Sequence, residues 1–128
     1  MTLQSITTDK APKAIGPYSQ AVRAGNLMFV SGMLPIDPVT NELKLFDGNA
    51  AEQARQVLNN IKALLASQNA TLAQVAKTTI FLKNMNDFAA VNEVYGSFFT
   101  SHKPARATVE VARLPKDALV EIEAIVVI

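Results

Sequence analysis

The sequence lacks cysteine and contains a single histidine. Without cysteine the chain can form no disulfide, no thiolate metal site and no cysteine nucleophile. One histidine and scattered carboxylates do not make up the ligand set of a zinc site. The composition therefore excludes thiol chemistry and gives no sign of a resident metal ion.

An excess of charge of one sign is also missing. The chain has 12 Lys and Arg residues against 11 Asp and Glu residues, and its aromatic content is 6%. Proteins that bind single-stranded nucleic acid combine a basic groove with stacking aromatic side chains. An anionic membrane surface would likewise require a basic patch. We therefore expect neither nucleic acid nor a membrane as a partner.

Long apolar runs are absent as well. No run approaches the roughly 20 residues that a membrane-spanning helix needs, and the first residues lack the basic and apolar segments of a secretory signal. We therefore expect a cytoplasmic protein. Apolar residues make up 49% of the 128 residues, which predicts one packed domain over residues 1–128. The charged fraction of 18% is low, as in chains that hide surface in an oligomer.

The first half of the chain predicts a β-hairpin followed by a long helix. Residues 2–7 and 18–24 alternate weakly, and the dipeptide Gly25-Asn26 joins the second of these segments to the apolar run 27–33. A capping box of Asn49 and Glu52 then precedes apolar residues that recur every three or four positions as far as residue 65. This spacing predicts an amphipathic helix of about five turns.

The second half predicts a strand over residues 75–83, a helix capped at Asn86-Asp87 that runs to about Phe99, and two terminal strands. The whole order indicates an α+β domain, with one mixed sheet and two helices packed on one face. Asn92 lies on the aromatic face of the second helix. Either it bonds a nearby backbone group or it contacts a ligand.

Charged residues interrupt the two terminal strands, which we expect to be neighbours in the sheet. Strand parity sorts these residues onto one face of each strand, and we expect those faces to lie on the side that no helix covers. A half-apolar, half-charged face suggests that other subunits cover it, which would place a small-molecule cleft at a subunit interface. The residues assigned to this face are Arg106, Thr108 and Glu110 on one strand, and Glu121, Glu123, Ile125 and Val127 on the other.

Several short motifs point to a known family. They are residues 14–18 (AIGPY), 30–32 (VSG), 77–79 (KTT), 86–88 (NDF), 91–92 (VN), 104–106 (PAR), 109–117 (VEVARLPKD) and 121–123 (EIE). With these motifs the chain resembles the RidA proteins (reactive intermediate deaminase A), also called the YjgF family, along nearly its whole length. The segment from Arg106 to Pro115 is the most specific match. The resemblance implies a homotrimer of the chorismate-mutase-like fold, with an inner sheet barrel and no metal or organic cofactor.

The resemblance also implies an activity. RidA proteins hydrolyse reactive enamines and imines, such as 2-aminoacrylate and 2-aminocrotonate, to 2-keto acids and ammonia, in a site between subunits. These intermediates escape from pyridoxal-phosphate-dependent dehydratases. Carried onto this chain, Arg106 would clamp the substrate carboxylate, and Glu121 would hold the attacking water and accept its proton. The other substrate-binding positions would be Tyr18 from a neighbouring subunit, Ser31, Gly32, Asn92, Ala107 and Thr108.

Thr108 departs from the family pattern, because RidA proteins commonly have cysteine at that position. The substitution rules out a covalent thiol mechanism there and adds a hydroxyl to the pocket wall.

Four alternative interpretations remain. The protein could be a regulatory sensor that captures small carboxylates with little turnover, or Arg106 and Glu121 could form a structural interface pair. Some relatives have been described as translation inhibitors or RNA-cleaving proteins, which this composition supports poorly. A Ser–His–acid hydrolase would need Ser31, His102 and Asp37, but no oxyanion motif surrounds the serine.

Overall fold

A six-stranded mixed sheet in the order β1-β2-β3-β6-β4-β5 forms the frame of the protein. The structure is a computed structural model and describes residues 2–128. The strands are β1 (Leu3–Ile6), β2 (Ala21–Ala24), β3 (Leu27–Met33), β4 (Val75–Leu82), β5 (Ala105–Glu110) and β6 (Val120–Val127), and the helices are α1 (Ala50–Ser67) and α2 (Phe88–Phe98). The predicted α+β class and the predicted strand and helix order are confirmed.

The hairpin of β2 and β3 forms as predicted. Ala24 pairs with Leu27 across the turn, and Gly25 adopts a φ of 62°, a left-handed conformation that glycine accepts without strain. β1 adds to β2 in antiparallel fashion and completes this end of the sheet.

The terminal strands β5 and β6 are not neighbours, and this expectation from the sequence is wrong. β4 lies between them, pairing in parallel with β5 and antiparallel with β6. Parallel neighbouring strands need a long crossover connection, and α2 provides it between β4 and β5. β5 lies at the edge of the sheet. β6 instead occupies the centre, between β3 and β4. Its alternate residues Val120, Ile122, Ala124 and Val126 are buried.

Helix α1 buries a continuous apolar stripe against the sheet and against α2. The stripe consists of Ala54, Val57, Leu58, Ile61, Leu64 and Leu65. At its N-terminus Asn49 Oδ1 accepts a hydrogen bond of 3.1 Å from the backbone N–H of Glu52. The Glu52 carboxylate lies 3.5 Å from Arg55 Nε. The structure thus shows the forward bond of the predicted capping box and pairs the Glu52 side chain with the next turn.

Helix α2 begins where predicted, with Asp87 as its N-cap residue, but the side-chain cap lies on the turn that precedes it. Asn84 Oδ1 accepts from the backbone N–H of Asn86 at 2.9 Å, and Asp87 makes no side-chain cap bond. The difference arises because a 3₁₀ turn, Met85–Asp87, precedes the α-helix and shifts the free N–H groups toward Asn84. No helix among residues 2–128 is both long enough and apolar enough to cross a membrane.

Candidate functional site

Arg106 projects from the helix-covered side of the sheet. The register pairs Arg106 with Thr78, and Thr78 with Ala124, and both of these partners are buried. Cross-strand partners share a face, so Arg106, Thr108 and Glu110 lie on the same side as the helices. The expectation that they lie on the uncovered side is therefore wrong. None of the residues of β5 is buried. The alternation of residues along this edge strand therefore does not indicate which of its two faces meets the helices.

Helix α2 holds the Arg106 guanidinium in place. Nη1 donates a hydrogen bond of 2.6 Å to Asn92 Oδ1, and the guanidinium carbon lies 5.0 Å from the ring centre of Tyr95 and 5.6 Å from that of Phe88. Both distances are within the range of cation–π attraction. The Tyr95 hydroxyl is itself fixed at 2.7 Å from the Thr78 hydroxyl. Asn92 thus contacts a side chain, not the backbone group that the alternative interpretation required.

Tyr95 stays neutral beside this cation. Burial raises the pKa of the Tyr95 hydroxyl, while the hydrogen bond with Thr78 and the charge of Arg106 lower it in part. In the described part of the chain, no carboxylate forms a salt bridge with Arg106. The result is an oriented guanidinium without a counter-ion, which is suited to a carboxylate ligand.

A cleft of about 440 Å³ opens beside this guanidinium, between α2 and the start of β5. The residues that line it are Asn92, Tyr95, Gly96, Phe99, Lys103, Pro104 and Arg106. A cavity of this size can accept a small organic molecule.

Glu121 and Glu123 lie on the opposite side of the sheet. Their register partners on β4 are Phe81 and Thr79, which alternate with the buried residues Thr78, Ile80 and Leu82. The expectation that these two glutamates occupy the face without helices is correct. Burial, and then the negative charge of Glu123, raise the pKa of the Glu121 carboxyl. A carboxylate with a raised pKa is a stronger general base.

Gly32 provides the space for the Glu121 carboxylate. The pairing of β3 with β6 shifts register between Val30 and Met33. A Cβ at Gly32 would overlap the Glu121 carboxylate, at 2.8 Å from Cδ and 3.2 Å from Cγ. A glycine is therefore required at this bulge if the carboxylate is to rest against the strand.

The loop between β1 and β2 brings Tyr18 to the same region. Tyr18, Ser31 and Gly32 line one small pocket, and the Tyr18 side chain is 54% exposed. Ser31 Oγ donates to the backbone carbonyl of Ser19 at 2.5 Å, which ties the strand to the loop. Tyr18, Ser31, Gly32 and Glu121 thus form one cluster, and Arg106 with Asn92 forms another.

Gln20 anchors this loop, a role that no sequence pattern beyond weak alternation indicates. Its buried amide Nε2 donates to the carbonyls of Thr8, Ala11 and Pro12, and its Oε1 accepts from the backbone N–H of Thr8 at 2.7 Å. Tyr95 was also missed, because a tyrosine in an aromatic stripe looks like an ordinary core residue.

Thr108 carries an unpartnered polar atom. Its Oγ1 is buried and has no hydrogen-bond partner among residues 2–128. Leaving such a group unpaired costs about 1–3 kcal/mol. Ala107, the next residue back along β5, is exposed and faces the side without helices.

The three residues of the conceivable hydrolase triad are engaged elsewhere. Ser31 bonds Ser19, His102 Nε2 lies 2.9 Å from the carbonyl oxygen of Val75, and Asp37 Oδ1 accepts from the backbone N–H of Val39. They form no triad. Residues 2–128 also contain no group of three or more His, Cys, Asp or Glu side chains placed to hold a metal ion.

Comparison with known proteins identifies the family. The model of the endoribonuclease L-PSP family matches residues 8–128. The chain belongs to this family. It is the family that the sequence motifs indicated under the names RidA and YjgF, so the resemblance is confirmed.

Individual members of the L-PSP family match along nearly the whole chain. A RutC family protein of Pyrococcus horikoshii is 57% identical over 120 residues, which cover 94% of each chain. The 2-iminobutanoate/2-iminopropanoate deaminase of Escherichia coli K12 is 49% identical over 127 residues, 97% of each chain. The sequence is also 44% identical to that of E. coli TdcF, solved as a crystal structure with bound serine. The two structures match with a TM-score of 0.90 over 98% of each chain. The predicted fold of the L-PSP family is thereby confirmed.

Proposed function

We propose that this protein hydrolyses small reactive enamines and imines that carry a carboxylate, such as 2-aminoacrylate and 2-aminocrotonate, to 2-keto acids and ammonia. The observation that carries the proposal is the oriented Arg106 guanidinium, which has no salt-bridge partner in residues 2–128 and opens into a cleft. A relative that is 49% identical is named as a deaminase of such imines, and another is solved with bound serine, a small 2-amino acid.

In the proposed mechanism Arg106 binds the substrate carboxylate through two parallel N–H donors. Asn92 and the rings of Tyr95 and Phe88 restrict the guanidinium before the substrate arrives. Less side-chain freedom is then lost on binding, and the imine carbon is placed at a defined distance from the clamp.

Glu121 supplies the base. It accepts a proton from a water molecule as the oxygen attacks the carbon of the protonated imine, and the resulting carbinolamine carries both a hydroxyl and an amino group. Glu121 returns this proton to the amino nitrogen. The carbon–nitrogen bond then breaks while the hydroxyl gives its proton back to the Glu121 carboxylate, and the 2-keto acid and ammonia, which takes up that last proton as ammonium, are released. The raised pKa of Glu121 makes its carboxylate a stronger base for the uptake of the proton, and a pKa nearer the working pH leaves the protonated form able to return it.

Arg106 and Glu121 lie on opposite sides of the sheet within one chain, so one chain cannot bring them to the same substrate. We infer that Arg106 of one subunit meets Glu121, Tyr18, Ser31 and Gly32 of a neighbouring subunit. Exposed apolar side chains on the side without helices favour such contact, because Phe29, Val109 and Val127 are each 41–43% exposed there. The homotrimer follows from the family resemblance, and the cytoplasmic location stays a prediction.

A threonine dehydratase assay tests the function. The dehydratase releases 2-aminocrotonate, and we expect this protein to accelerate the appearance of 2-oxobutyrate, whereas Arg106→Ala removes the acceleration. Arg106→Lys retains the charge without the planar two-point geometry and should recover only part of the rate. Each variant is checked for its oligomeric state by light scattering.

Three outcomes separate the alternatives. Full acceleration of 2-oxobutyrate release by an intact Arg106→Ala oligomer would refute the assignment of Arg106 as the carboxylate-binding residue. Binding of 2-oxobutyrate without any acceleration would favour the carboxylate sensor. Failure of Arg106→Ala to assemble, with no loss of ligand affinity per folded subunit, would favour a structural pair.

A further inference from the structure

The cleft beside Arg106 contains a second cation, Lys103, which plays no part in the mechanism above. We propose that this cleft is a subsite for the substrate side chain, and that Lys103 selects imino acids whose side chain ends in a second acidic group. The inference rests on the proposed function and adds a substrate class to it.

The volume of the cleft exceeds what a short substrate fills. The cleft measures about 440 Å³, whereas an imino acid of four carbons occupies on the order of 150 Å³, judged from the ~30 Å³ share of one water molecule. The substrate carboxylate is held at Arg106 on one wall. The remaining space is lined by Gly96, Phe99, Pro104 and Lys103.

Lys103 and Arg106 are both free to meet an anion. Neither side chain forms a salt bridge with a carboxylate of residues 2–128. Lys103 Nζ makes a single long contact of 3.4 Å with the backbone carbonyl of Phe99, at the end of α2, beyond the usual range for such a bond. No acidic residue lines the cleft.

The spacing of the two cations suits one small diacid. Residues 103 and 106 are three positions apart, so their Cα atoms are separated by at most about 10 Å in an extended chain. Both side chains are long, and both line the same cleft. Two carboxylates of a single four- or five-carbon molecule can therefore each meet one cation.

Gly96 keeps part of the cleft wall open. A Cβ built at Gly96 has no atom within 4 Å, apart from the helix's own backbone and the chain neighbours, so the helix surface here faces empty space. A larger side chain at this position would fill the proposed subsite without displacing other residues.

Binding of two product analogues tests the inference by calorimetry. The probes are 2-oxoglutarate, which has a second carboxylate, and 2-oxobutyrate, which does not. Lys103→Met should weaken the binding of 2-oxoglutarate roughly two- to fivefold, the range of a solvent-exposed ion pair, and leave the affinity for 2-oxobutyrate unchanged. Lys103→Arg should restore the affinity. Lys62→Met, which removes an exposed lysine from α1, is the matched control and should alter neither probe.

Gly96→Leu provides an independent arm, because leucine is a good helix former and fills the cleft. It should weaken the binding of 2-oxoglutarate more than the binding of 2-oxobutyrate. Turnover is measured with imines that amino-acid oxidases generate in situ from glutamate and from 2-aminobutyrate. Lys103→Met should lower the rate of hydrolysis only for the imine derived from glutamate.

Equal effects of Lys103→Met on both probes, or no effect on either, would overturn the subsite. Either result would leave the deaminase proposal intact if the wild-type protein still accelerates 2-oxobutyrate release. A wild-type protein that binds both probes with the expected difference but hydrolyses neither imine would support the subsite and sink the deaminase.

Discussion

Gly32→Ala is the sharpest perturbation of the proposed base, because it moves the Glu121 carboxylate without removing it. The backbone at Gly32 does not have a left-handed φ, so alanine is conformationally acceptable there. Such a replacement normally stabilises a protein by about 0.4–1 kcal/mol. Here, however, the added methyl group would overlap the carboxylate and lie 2.8 Å from Cδ of Glu121.

The flexible end of Glu121 must therefore swing away. An off-rotamer side chain costs about 0.5–1.5 kcal/mol, and overpacking costs about 1–3 kcal/mol. We expect the free energy of unfolding to fall by roughly 1 kcal/mol once the backbone gain is subtracted. Misplacing a catalytic group by ~1 Å can lower the rate about 100-fold. We therefore expect kcat to fall by one to two orders of magnitude, with little change in KM, because Arg106 still holds the substrate.

Two assays check this prediction. Enamine hydrolysis gives kcat and KM, and urea unfolding gives the stability of Gly32→Ala in the wild-type and Glu121→Ala backgrounds. With the carboxylate gone there is nothing to overlap, so alanine should be neutral or stabilising in the second background. An equal loss of stability in both backgrounds, or a full rate in the single variant, would refute the reasoning.

Three further perturbations follow from the charges and hydroxyls of the site. Glu123→Gln removes the like charge that contributes to the raised pKa of Glu121, so the acid limb of the kcat/KM profile should move to lower pH; an unmoved limb would contradict this. The raised pKa of Glu121 means that its contribution to stability is full below the unfolded pKa of about 4.3 and is lost as pH rises through the folded pKa. Glu121→Gln should therefore be more stable than wild type at pH 7 in thermal unfolding, with the difference vanishing below about pH 4; a constant difference would speak against it. Thr108→Val removes a buried hydroxyl that has no partner in residues 2–128. It should raise the free energy of unfolding by about 1–3 kcal/mol and Tm with it, whereas a fall in Tm would show that another group bonds this hydroxyl.

The elements that the sequence predicted well are those with local signals. The stripe of α1 repeats every three or four residues over four turns, and the Gly25-Asn26 turn joins two strands that are adjacent in the chain. The position of β5 was not predictable in this way. Parity sorts the side chains of a strand relative to one another, but which face meets the helices depends on pairing with β4, a distant segment.

The same limit applies to the candidate site. Arg106 and Glu121 stand out in the sequence because charges interrupt apolar strands. Their placement on opposite sides of the sheet depends on the register of each strand with β4. The supporting contacts of Tyr95 and Gln20 are hydrogen bonds between residues distant in the sequence, so no local sequence pattern predicts them.

Mixing two inactive variants tests the shared site most directly. Arg106→Ala and Glu121→Gln chains are unfolded together at equal concentration and refolded, and the enamine hydrolysis of the mixed oligomers is measured. Each site needs an intact Arg106 from one chain and an intact Glu121 from its neighbour. Random assortment satisfies this with probability one half times one half, so about a quarter of wild-type activity should return in a closed ring of subunits. Activity that stays at the level of the separate variants would contradict a site built from two chains.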